Sequence, residues 1–292
     1  MNILTFDIEE WFLEKNYFGN RQEKYQAFDL YLNQILDKLE REQKKATFFC
    51  LGGMAREFPE VVRRIADKGH EIGCHSDQHV WITKLTEEEF RTDTISAIDA
   101  LEQCIGEKVL SYRAPAFSIG NSNKWAFEIL AECGIERDAS IFPATRDFGG
   151  FANFRQKAPS IVKCGGVKIK EFPICTTHIA GKDIAYSGGG YFRFFPLWFV
   201  KKEMKNSLYA MTYFHIDDLI PESERMLTKK EFEDYFKESG TFFNRYKRHI
   251  KSNLGKKNAF NKMSKLITAY QFQSLKSADK LIEWQNAPVV EL

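Results

Sequence analysis

Short apolar segments alternate with longer amphipathic ones along the first half of the chain, and this alternation constrains the fold more than any other feature. The apolar runs ATFFCL, HEIGC and KVLSY have five or six residues each, the length of a buried strand. Between them, apolar residues recur at helical spacing, and glycines such as Gly69 and Gly134 mark the helix ends. Strands that alternate with helices through short connections pair in parallel, with the helices outside the sheet.

This pattern assigns an element to most of the chain. Strands are predicted at 2–7, 46–51, 70–74, 108–112 and 208–214, and helices at 27–44, 59–69, 86–105, 125–133 and 228–238. Thr86 followed by Glu89 is a capping box, which places the start of the third of these helices. From residue 149 to residue 191 the sequence becomes rich in glycine and short strands, which predicts a small antiparallel insertion.

The length and composition fit a single α/β barrel domain. The chain has 292 residues, of which 43% are hydrophobic, enough for a sizeable core. Such barrels commonly reach this size as one unit. We predict a barrel domain over residues 1–240 and a basic, helical C-terminal extension over residues 241–292 that packs on it.

The charge distribution separates the C-terminal extension from the rest of the chain. The net charge of +2 is small, so the chain as a whole does not predict a nucleic-acid partner. From Thr241 onward, however, ten Lys and Arg residues stand against three Asp and Glu. These basic helices could meet anionic lipid or nucleotide phosphate, although a solvated face is the favoured interpretation.

The cysteines and the N-terminus favour a cytoplasmic protein. The six cysteines form no Cys-x-x-Cys pair and fall mostly in apolar stretches, as buried free thiols of a reducing compartment do. The opening MNILTFDIEEWF has no basic region before an apolar core, so a secretory signal is not predicted. No apolar run approaches the roughly 18 residues of a membrane span.

Ionisable side chains follow several predicted strands at the point where each strand ends. Asp7 and Glu9 end the first strand, His75 follows the third, Arg113 the fourth and His215 a late one. In a parallel barrel the C-terminal ends of the strands share one face, where catalytic groups converge. The coincidence over four strands predicts an active site at this face.

His75 and His79 have the spacing of a metal-binding pair. At positions i and i+4 of a helical turn, two imidazoles share a face and can bind one ion. The third ligand is usually a carboxylate, and Asp7 and Glu9 lie on the same side of their strand. One of them could bind the metal while the other takes a proton from water. The alternatives are two unrelated loop histidines and a solvated acidic loop.

Arg113 and His215 could serve a hydrolytic site in two further roles, as a partner for a carboxylate and as a proton donor. Arg113 is permanently charged and can hold a carboxylate through two hydrogen bonds. His215 can donate a proton near neutral pH, as a general acid does. The alternatives are an ordinary ion-pair arginine and a capping or core histidine. His70, His178 and His249 lie in weaker contexts and are predicted to be structural or surface residues.

In this order the motifs resemble those of the polysaccharide deacetylase family, also called the NodB-homology family. TFDIEEWF resembles its first motif, and HEIGCHSDQH the second, whose core is His-Ser/Thr-x-x-x-His. YRAPAFS resembles the Arg-x-Pro motif, GIERDASIFP a segment that carries Asp-Ser-Ser in relatives, and TYFHIDDL the last motif. The resemblance covers about residues 1–220. The opening is closest to a subgroup associated with surface-polysaccharide loci.

The resemblance implies a distorted (β/α)7-type barrel that removes an N-acetyl group from a sugar of a surface polysaccharide or its precursor. It implies that Asp7 is the general base and that Arg113 orients it. It also implies that His75 and His79 bind a divalent metal, expected to be Zn²⁺, and that His215 is the general acid.

The third metal ligand departs from the family pattern. The usual ligand is an Asp directly after the base, and because Ile8 stands there, Glu9 or Glu10 must substitute. We assign the role to Glu9. Some relatives without an acid at that place work without metal. A metal-independent amide hydrolase on the same scaffold therefore stays open, as does a non-catalytic carbohydrate-binding relative.

The substrate side of the site is expected to involve Trp11, Pro115 and Ala116. In the family the residue after Arg-x-Pro is usually Tyr or another larger residue, so Ala116 is expected to widen the pocket. The resemblance also implies that a backbone N–H near Ala116 helps to stabilise the oxyanion.

Overall fold

One large sheet forms the framework of the protein, for which a computed structural model describes residues 1–9, 12, 21–144, 149–236 and 238–292. The strands are β1 (Asn2–Ile3), β2 (Thr5–Ile8), β3 (Thr47–Cys50), β4 (Glu71–Cys74), β5 (Ser111–Tyr112), β6 (Arg137–Asp138), β7 (Ser160–Cys164), β8 (Val167–Glu171), β9 (Thr176–Ile179), β10 (Lys182–Ala185), β11 (Ala210–Met211), β12 (Phe214–His215) and β13 (Val289–Glu291).

The large sheet brings the first and last barrel strands together. Its nine strands lie in the order β12-β2-β3-β4-β5-β6-β8-β7-β13, and every neighbouring pair is parallel except β7 and β8. Asp7 on β2 lies opposite His215 on β12, although 208 positions separate them in the chain. β1 likewise pairs with β11. The hairpin of β9 and β10 stands apart, and with β7 and β8 it forms the predicted antiparallel insertion.

Helices connect the strands and pack against the sheet. The α-helices are α1 (Arg21–Arg41), α2 (Gly52–Glu57), α3 (Pro59–Asp67), α4 (Glu87–Ile105), α5 (Ala126–Glu132), α6 (Gly189–Phe194), α7 (Leu197–Asn206), α8 (Lys229–Phe236), α9 (Phe242–Asn253), α10 (Lys256–Ala269) and α11 (Leu275–Asp279). Short 3₁₀ turns cover Ile82–Lys84, Pro115–Phe117, Asp217–Leu219 and Trp284–Asn286. The capping box is present, because Thr86 accepts from Glu89 N and the Glu89 side chain accepts from Thr86 N.

Several elements differ from the sequence-based expectation, among them the strand predicted at 2–7, which is divided into β1 and β2. The strand predicted at 208–214 is broken into β11 and β12, and β6 was not predicted. The C-terminal extension is not purely helical, because β13 pairs in parallel with β7. β13 has three residues, too few to show a hydrophobic period in the sequence. It is recognised as a strand only from its pairing with β7.

A single hydrophobic core runs through the molecule and includes the C-terminal region. Met263, Leu266 and Ile267 of α10 are fully buried, and so is Leu275 of α11. Residues from α10 onward therefore share their core with the sheet. The domain boundary at residue 240 stays a prediction.

Candidate metal and catalytic site

Three potential metal ligands converge at the C-terminal ends of β2 and β4. Glu9 Oε2 lies 2.8 Å from His75 Nε2 and 2.6 Å from His79 Nε2. Each residue offers one ligand atom, and these atoms lie within 4.8 Å of one another. Glu9 and His75 are buried, and the His79 side chain is 14% exposed. The arrangement provides two imidazoles and a carboxylate around one point, which is the ligand set of many catalytic zinc sites.

His75 is held in the tautomer that a metal ligand needs. Its Nδ1 lies 2.7 Å from the carbonyl oxygen of Arg113. Because a carbonyl only accepts, Nδ1 must carry a proton and donate it, which leaves the Nε2 lone pair directed at Glu9. A lone pair facing a carboxylate is repulsive unless a proton or a metal ion lies between them. The donor set therefore fits a divalent cation.

The close approach of Glu9 to the imidazoles also shifts the pKa values of Glu9 and His75. Burial alone would raise the pKa of Glu9, but the two imidazoles lower it to well below the usual value. Burial alone would lower the pKa of His75, but Asp7 and Glu9 raise it. A proton on His75 thus helps to balance the Glu9 carboxylate when no metal is bound.

His79 is on a strained loop and not on the expected helical turn. Ser76 and His79 adopt left-handed backbone conformations, with φ of 73° and 58°, each at a cost of order 1–3 kcal/mol for a residue other than glycine. The Ser76 hydroxyl accepts from the His79 N–H at 2.9 Å and holds the loop. Among the residues that the structure describes, the buried His79 Nε2 has no aligned hydrogen-bond partner. The loop aims this nitrogen at the common point beside Glu9.

Asp7 and Arg113 form a buried ion pair next to the ligands. Asp7 Oδ1 lies 2.7 Å from Arg113 Nη1, and both side chains are almost completely buried. Arg113 also donates to the Thr5 hydroxyl at 2.7 Å and to the Ala139 carbonyl at 3.3 Å. Its guanidinium lies 4.3 Å from the centre of the Phe49 ring. These contacts fix the arginine, and the arginine fixes the Asp7 carboxylate.

His215 completes the site from the other side. Its Nε2 lies 3.3 Å from Glu9 Oε1 and 3.8 Å from Asp7 Oδ2, and its side chain is 25% exposed. Its Nδ1 lies 3.1 Å from Asp218 Oδ2. His215 is therefore the group of this cluster that is most open to solvent, while Asp7 and Glu9 are buried beneath it.

An ion pair between Asp218 and Arg193 supports His215, and Arg193 was not among the residues singled out from the sequence. Asp218 Oδ1 lies 3.0 Å from Arg193 Nε. Burial would raise the pKa of Asp218, but His215 and Arg193 lower it overall. Arg193 comes from α6, which starts beside β12 because Gly188 pairs with Tyr213. A Cβ on Gly188 would lie 2.0 Å from the Tyr213 carbonyl oxygen, so this approach requires glycine.

The expected substrate-side residues are only partly described. Pro115 begins the 3₁₀ turn after β5 and is buried, whereas Ala116 is half-buried. Ala116 has a left-handed φ of 51°. The turn lies beside the site, because the Phe117 ring is 5.5 Å from the Arg113 guanidinium. Trp11 and Glu10 lie outside the described residues.

The three histidines that were expected to be structural or surface residues lie away from these ligands. His70 is buried, and burial together with Lys45 lowers its pKa to about 4. The His178 side chain is 63% exposed on the β9–β10 hairpin. His249 lies on α9 and contacts Asn253.

Family models match the chain in two consecutive parts. Residues 3–137 match the model described as polysaccharide deacetylase, and residues 139–280 match a domain of unknown function, DUF3473. The first part contains Asp7, Glu9, His75, His79 and Arg113, and the second contains His215. The candidate site is therefore assembled from both parts.

Two curated relatives match this chain over short stretches. A peptidoglycan-N-acetylglucosamine deacetylase of Bacillus cereus is 42% identical over 96 residues, which is 32% of this chain and 35% of the relative. A peptidoglycan-N-acetylmuramic acid deacetylase of Bacillus subtilis is 30% identical over 106 residues, 34% of this chain and 40% of the relative. The matches thus span less than half of the length of these relatives.

A solved structure resembles the whole chain. It is a candidate polysaccharide deacetylase from Mycobacterium smegmatis, 17% identical, with a TM-score of 0.64 over 100% of this chain and 92% of the other. This likeness confirms the predicted fold class, a distorted (β/α)-type barrel. Within the part of the chain that the structure describes, no helix has the length and apolar character needed to cross a membrane.

Proposed function

Starting from the polysaccharide deacetylase domain that the chain carries over residues 3–137, we propose that the protein is a metal-dependent carbohydrate N-deacetylase. The observation that carries the proposal is the convergence of Glu9, His75 and His79 beside the Asp7–Arg113 ion pair. Hydrolysis of an acetamide needs an activated water, a base for its proton and an acid for the departing amine. The site offers a group for each of these tasks.

Glu9, His75 and His79 would hold the metal, and Zn²⁺ fits best. Imidazole nitrogens with one carboxylate oxygen, and a position left open for substrate, are typical of hydrolytic zinc. A divalent metal bound there would supply Lewis-acid chemistry, polarising a carbonyl and lowering the pKa of water toward ~7. The Arg113 carbonyl would orient His75 through Nδ1, as outer hydrogen bonds do for most metal-binding histidines.

Asp7 is the proposed general base. One of its oxygens is held by Arg113 at 2.7 Å, so the other is left to receive a proton on the His215 side of the site. Arg113 pairs with the carboxylate in a buried place, where an unpaired charge would be costly. Its several contacts prevent the pair from rotating away from the ligands.

His215 is the proposed general acid. Its Nδ1 lies 3.1 Å from Asp218 Oδ2 and donates to this carboxylate, which directs Nε2 toward the ligands. Because the imidazole is partly exposed, it can reach the nitrogen of a bound acetamide and be reprotonated from solvent. The backbone N–H of the Pro115–Phe117 turn near Ala116 is the proposed oxyanion donor, a contribution typically worth ~3–4 kcal/mol.

The proposed substrate is an N-acetylated sugar of a surface polysaccharide or its precursor. The two Bacillus relatives are named for N-acetylated sugars of peptidoglycan, which supports the chemical class of the substrate and not a particular polymer. Ala116, where the family usually has a larger residue, leaves room beside the site for a substituted sugar. All six cysteines are free thiols, and we propose a cytoplasmic location, where thiols stay reduced.

Acetate release tests the proposal directly. Wild type, Asp7→Asn and His79→Ala are compared on N-acetylglucosamine oligomers, with His178→Ala as the matched histidine control because His178 is 63% exposed and distant from the ligands. We expect acetate from wild type and the control only. Equal rates in all four proteins would overturn the assignment. Full activity after chelation, with no zinc in the protein, would favour the metal-independent amide hydrolase.

A further inference from the structure

Helix α9 presents its apolar side chains to solvent. Phe242, Phe243, Tyr246 and Ile250 are 64%, 70%, 48% and 44% exposed, and Leu254 just after the helix is 48% exposed. At about 100° per residue, these positions lie within an arc of about 120° on one side of the helix. No residue of α9 is buried. We call this face the apolar strip.

The side of α9 that faces the protein is polar. Asn244 Nδ2 donates to the Ser239 carbonyl at 2.9 Å, and Arg245 Nη1 donates to the Leu227 carbonyl at 2.9 Å. Asn253 Nδ2 donates to the Glu224 carbonyl at 3.1 Å, and Asn253 Oδ1 accepts from Glu224 N at 2.8 Å. The helix cannot roll its apolar strip inward without breaking these bonds. Its orientation is opposite to that of an ordinary surface helix.

The charge beside the apolar strip is of one sign. Lys247 and Lys251 are exposed on α9 next to the strip. From Thr241 to Ala278 the chain has no Asp or Glu, and it has nine basic residues: Arg245, Lys247, Arg248, Lys251, Lys256, Lys257, Lys262, Lys265 and Lys276. Exposed aromatic side chains bordered by lysines are typical of helices that lie in the interface of an anionic membrane. Two copies of this face would repel each other, which argues against a dimer.

We propose that α9 docks the protein onto a membrane surface that contains anionic phospholipid, with the apolar strip inserted between the headgroups. The basic helices are thus assigned to anionic lipid instead of the solvated face that the sequence favoured. Docking itself does not depend on the proposed function. Arg193 links α9 to the site, because it donates to the Lys251 carbonyl at 3.0 Å and also pairs with Asp218. If the proposed function holds, docking through α9 therefore brings the site to sugars carried on lipid.

Vesicle co-sedimentation tests the docking without any turnover. Full-length protein is mixed with phosphatidylcholine vesicles that contain or lack phosphatidylglycerol. The variants are Phe243→Ser and the double variant Lys247→Glu/Lys251→Glu, both at exposed positions where folding should persist. Leu281→Ser is the matched control, because Leu281 is 67% exposed and lies outside α9. Circular dichroism verifies that each variant is folded.

Binding is expected only with phosphatidylglycerol, and it should weaken as salt is raised. Phe243→Ser should weaken it about tenfold or more, and the charge reversal by at least about 30-fold, while Leu281→Ser leaves it unchanged. Absence of binding to anionic vesicles, or equal binding by all variants, would overturn the proposal. So would a dimer in light scattering that Phe243→Ser dissociates. Acetate release from soluble oligomers reports the proposed function separately.

Discussion

Two of the buried charged groups among the described residues differ in whether their carboxylates are balanced within the protein. The site cluster consists of Asp7, Glu9, His75, His79 and Arg113. The Lys256 cluster consists of Lys256, which is 2% exposed, with Asp217 at 2.9 Å and Glu224 at 3.0 Å. In the Lys256 cluster an ammonium lies between the carboxylates. In the site cluster the Glu9 carboxylate faces imidazoles and, among the described residues, neither a lysine nor an arginine.

The difference separates a structural cluster from a functional one. Burial would lower the pKa of Lys256, but Asp217 and Glu224 raise it. The ammonium charge is therefore balanced by these two carboxylates within the protein. Lys256 ties the first turn of α10 to the segment after His215. In the site cluster, by contrast, Arg113 balances Asp7, and the Glu9 carboxylate needs a proton or a metal ion to balance it. The following predictions test this contrast.

The largest effect is expected for Asp7→Asn, which keeps the size of the side chain and removes its ability to accept a proton. Loss of a general base typically costs about 10²–10⁴-fold in rate. The measurement is kcat for acetate release, with Asp183→Asn on the exposed hairpin as the matched control. An unchanged kcat would show that Asp7 is not the base.

Arg113→Met should destabilise the fold by about 3–5 kcal/mol, because it leaves the Asp7 carboxylate buried and unpaired. Arg225→Met is the comparison, since Arg225 pairs with Glu231 at the surface, where a pair contributes about 0–1 kcal/mol. Denaturant unfolding measures both. Equal costs for the two substitutions would contradict the buried character of the site pair.

Metal should change the pH dependence of stability. Without metal, the lowered pKa of Glu9 stabilises the fold fully above its usual value of 4.5, and this contribution is lost as pH falls. The raised pKa of His75 stabilises the fold fully below 6.5, and this contribution is lost as pH rises. The metal-free cluster therefore contributes most between these values.

Zinc needs neutral imidazoles, so its binding should strengthen as pH rises above that window. At a hundredfold excess over Kd it would add about 2.7 kcal/mol. Thermal unfolding of chelated and zinc-loaded protein on both sides of the window measures the effect. A zinc-induced shift that is larger at low pH than at high pH would contradict the assignment.

The smallest effect is expected for Lys256→Met. It removes the cation between two carboxylates that are each about a third exposed, so water can partly replace it. We expect a loss of about 1–3 kcal/mol in unfolding free energy with unchanged zinc content. Glu9→Gln is the counterpart, expected to lose zinc with the fold retained. Loss of zinc in Lys256→Met would break the distinction between the two clusters.

The sequence predicted the elements and site residues that depend on local pattern. Buried strands such as β3 and the helix capped by Thr86 follow from apolar spacing and capping chemistry. Asp7, Glu9 and His75 could be placed at one face because parallel strands end together. Asp7 and His215 lie side by side for the same reason.

The remaining features depend on contacts between distant segments. The left-handed backbone at Ser76 and His79 is imposed by the surrounding packing, so the spacing of the two histidines suggested a helical turn instead. Arg193 reaches Asp218 only because α6 is positioned beside β12. The outward orientation of the apolar strip on α9 was also hidden, because periodicity shows that a helix has two faces and not which one meets solvent.

A zinc-soaked crystal measured at the zinc absorption edge tests the central claim most directly. The account predicts one strong anomalous peak about 2.0–2.2 Å from Glu9 and from an imidazole nitrogen of both His75 and His79. The peak should be absent from His79→Ala crystals treated in the same way. No peak among these three side chains, or an unchanged peak in His79→Ala, would contradict the account.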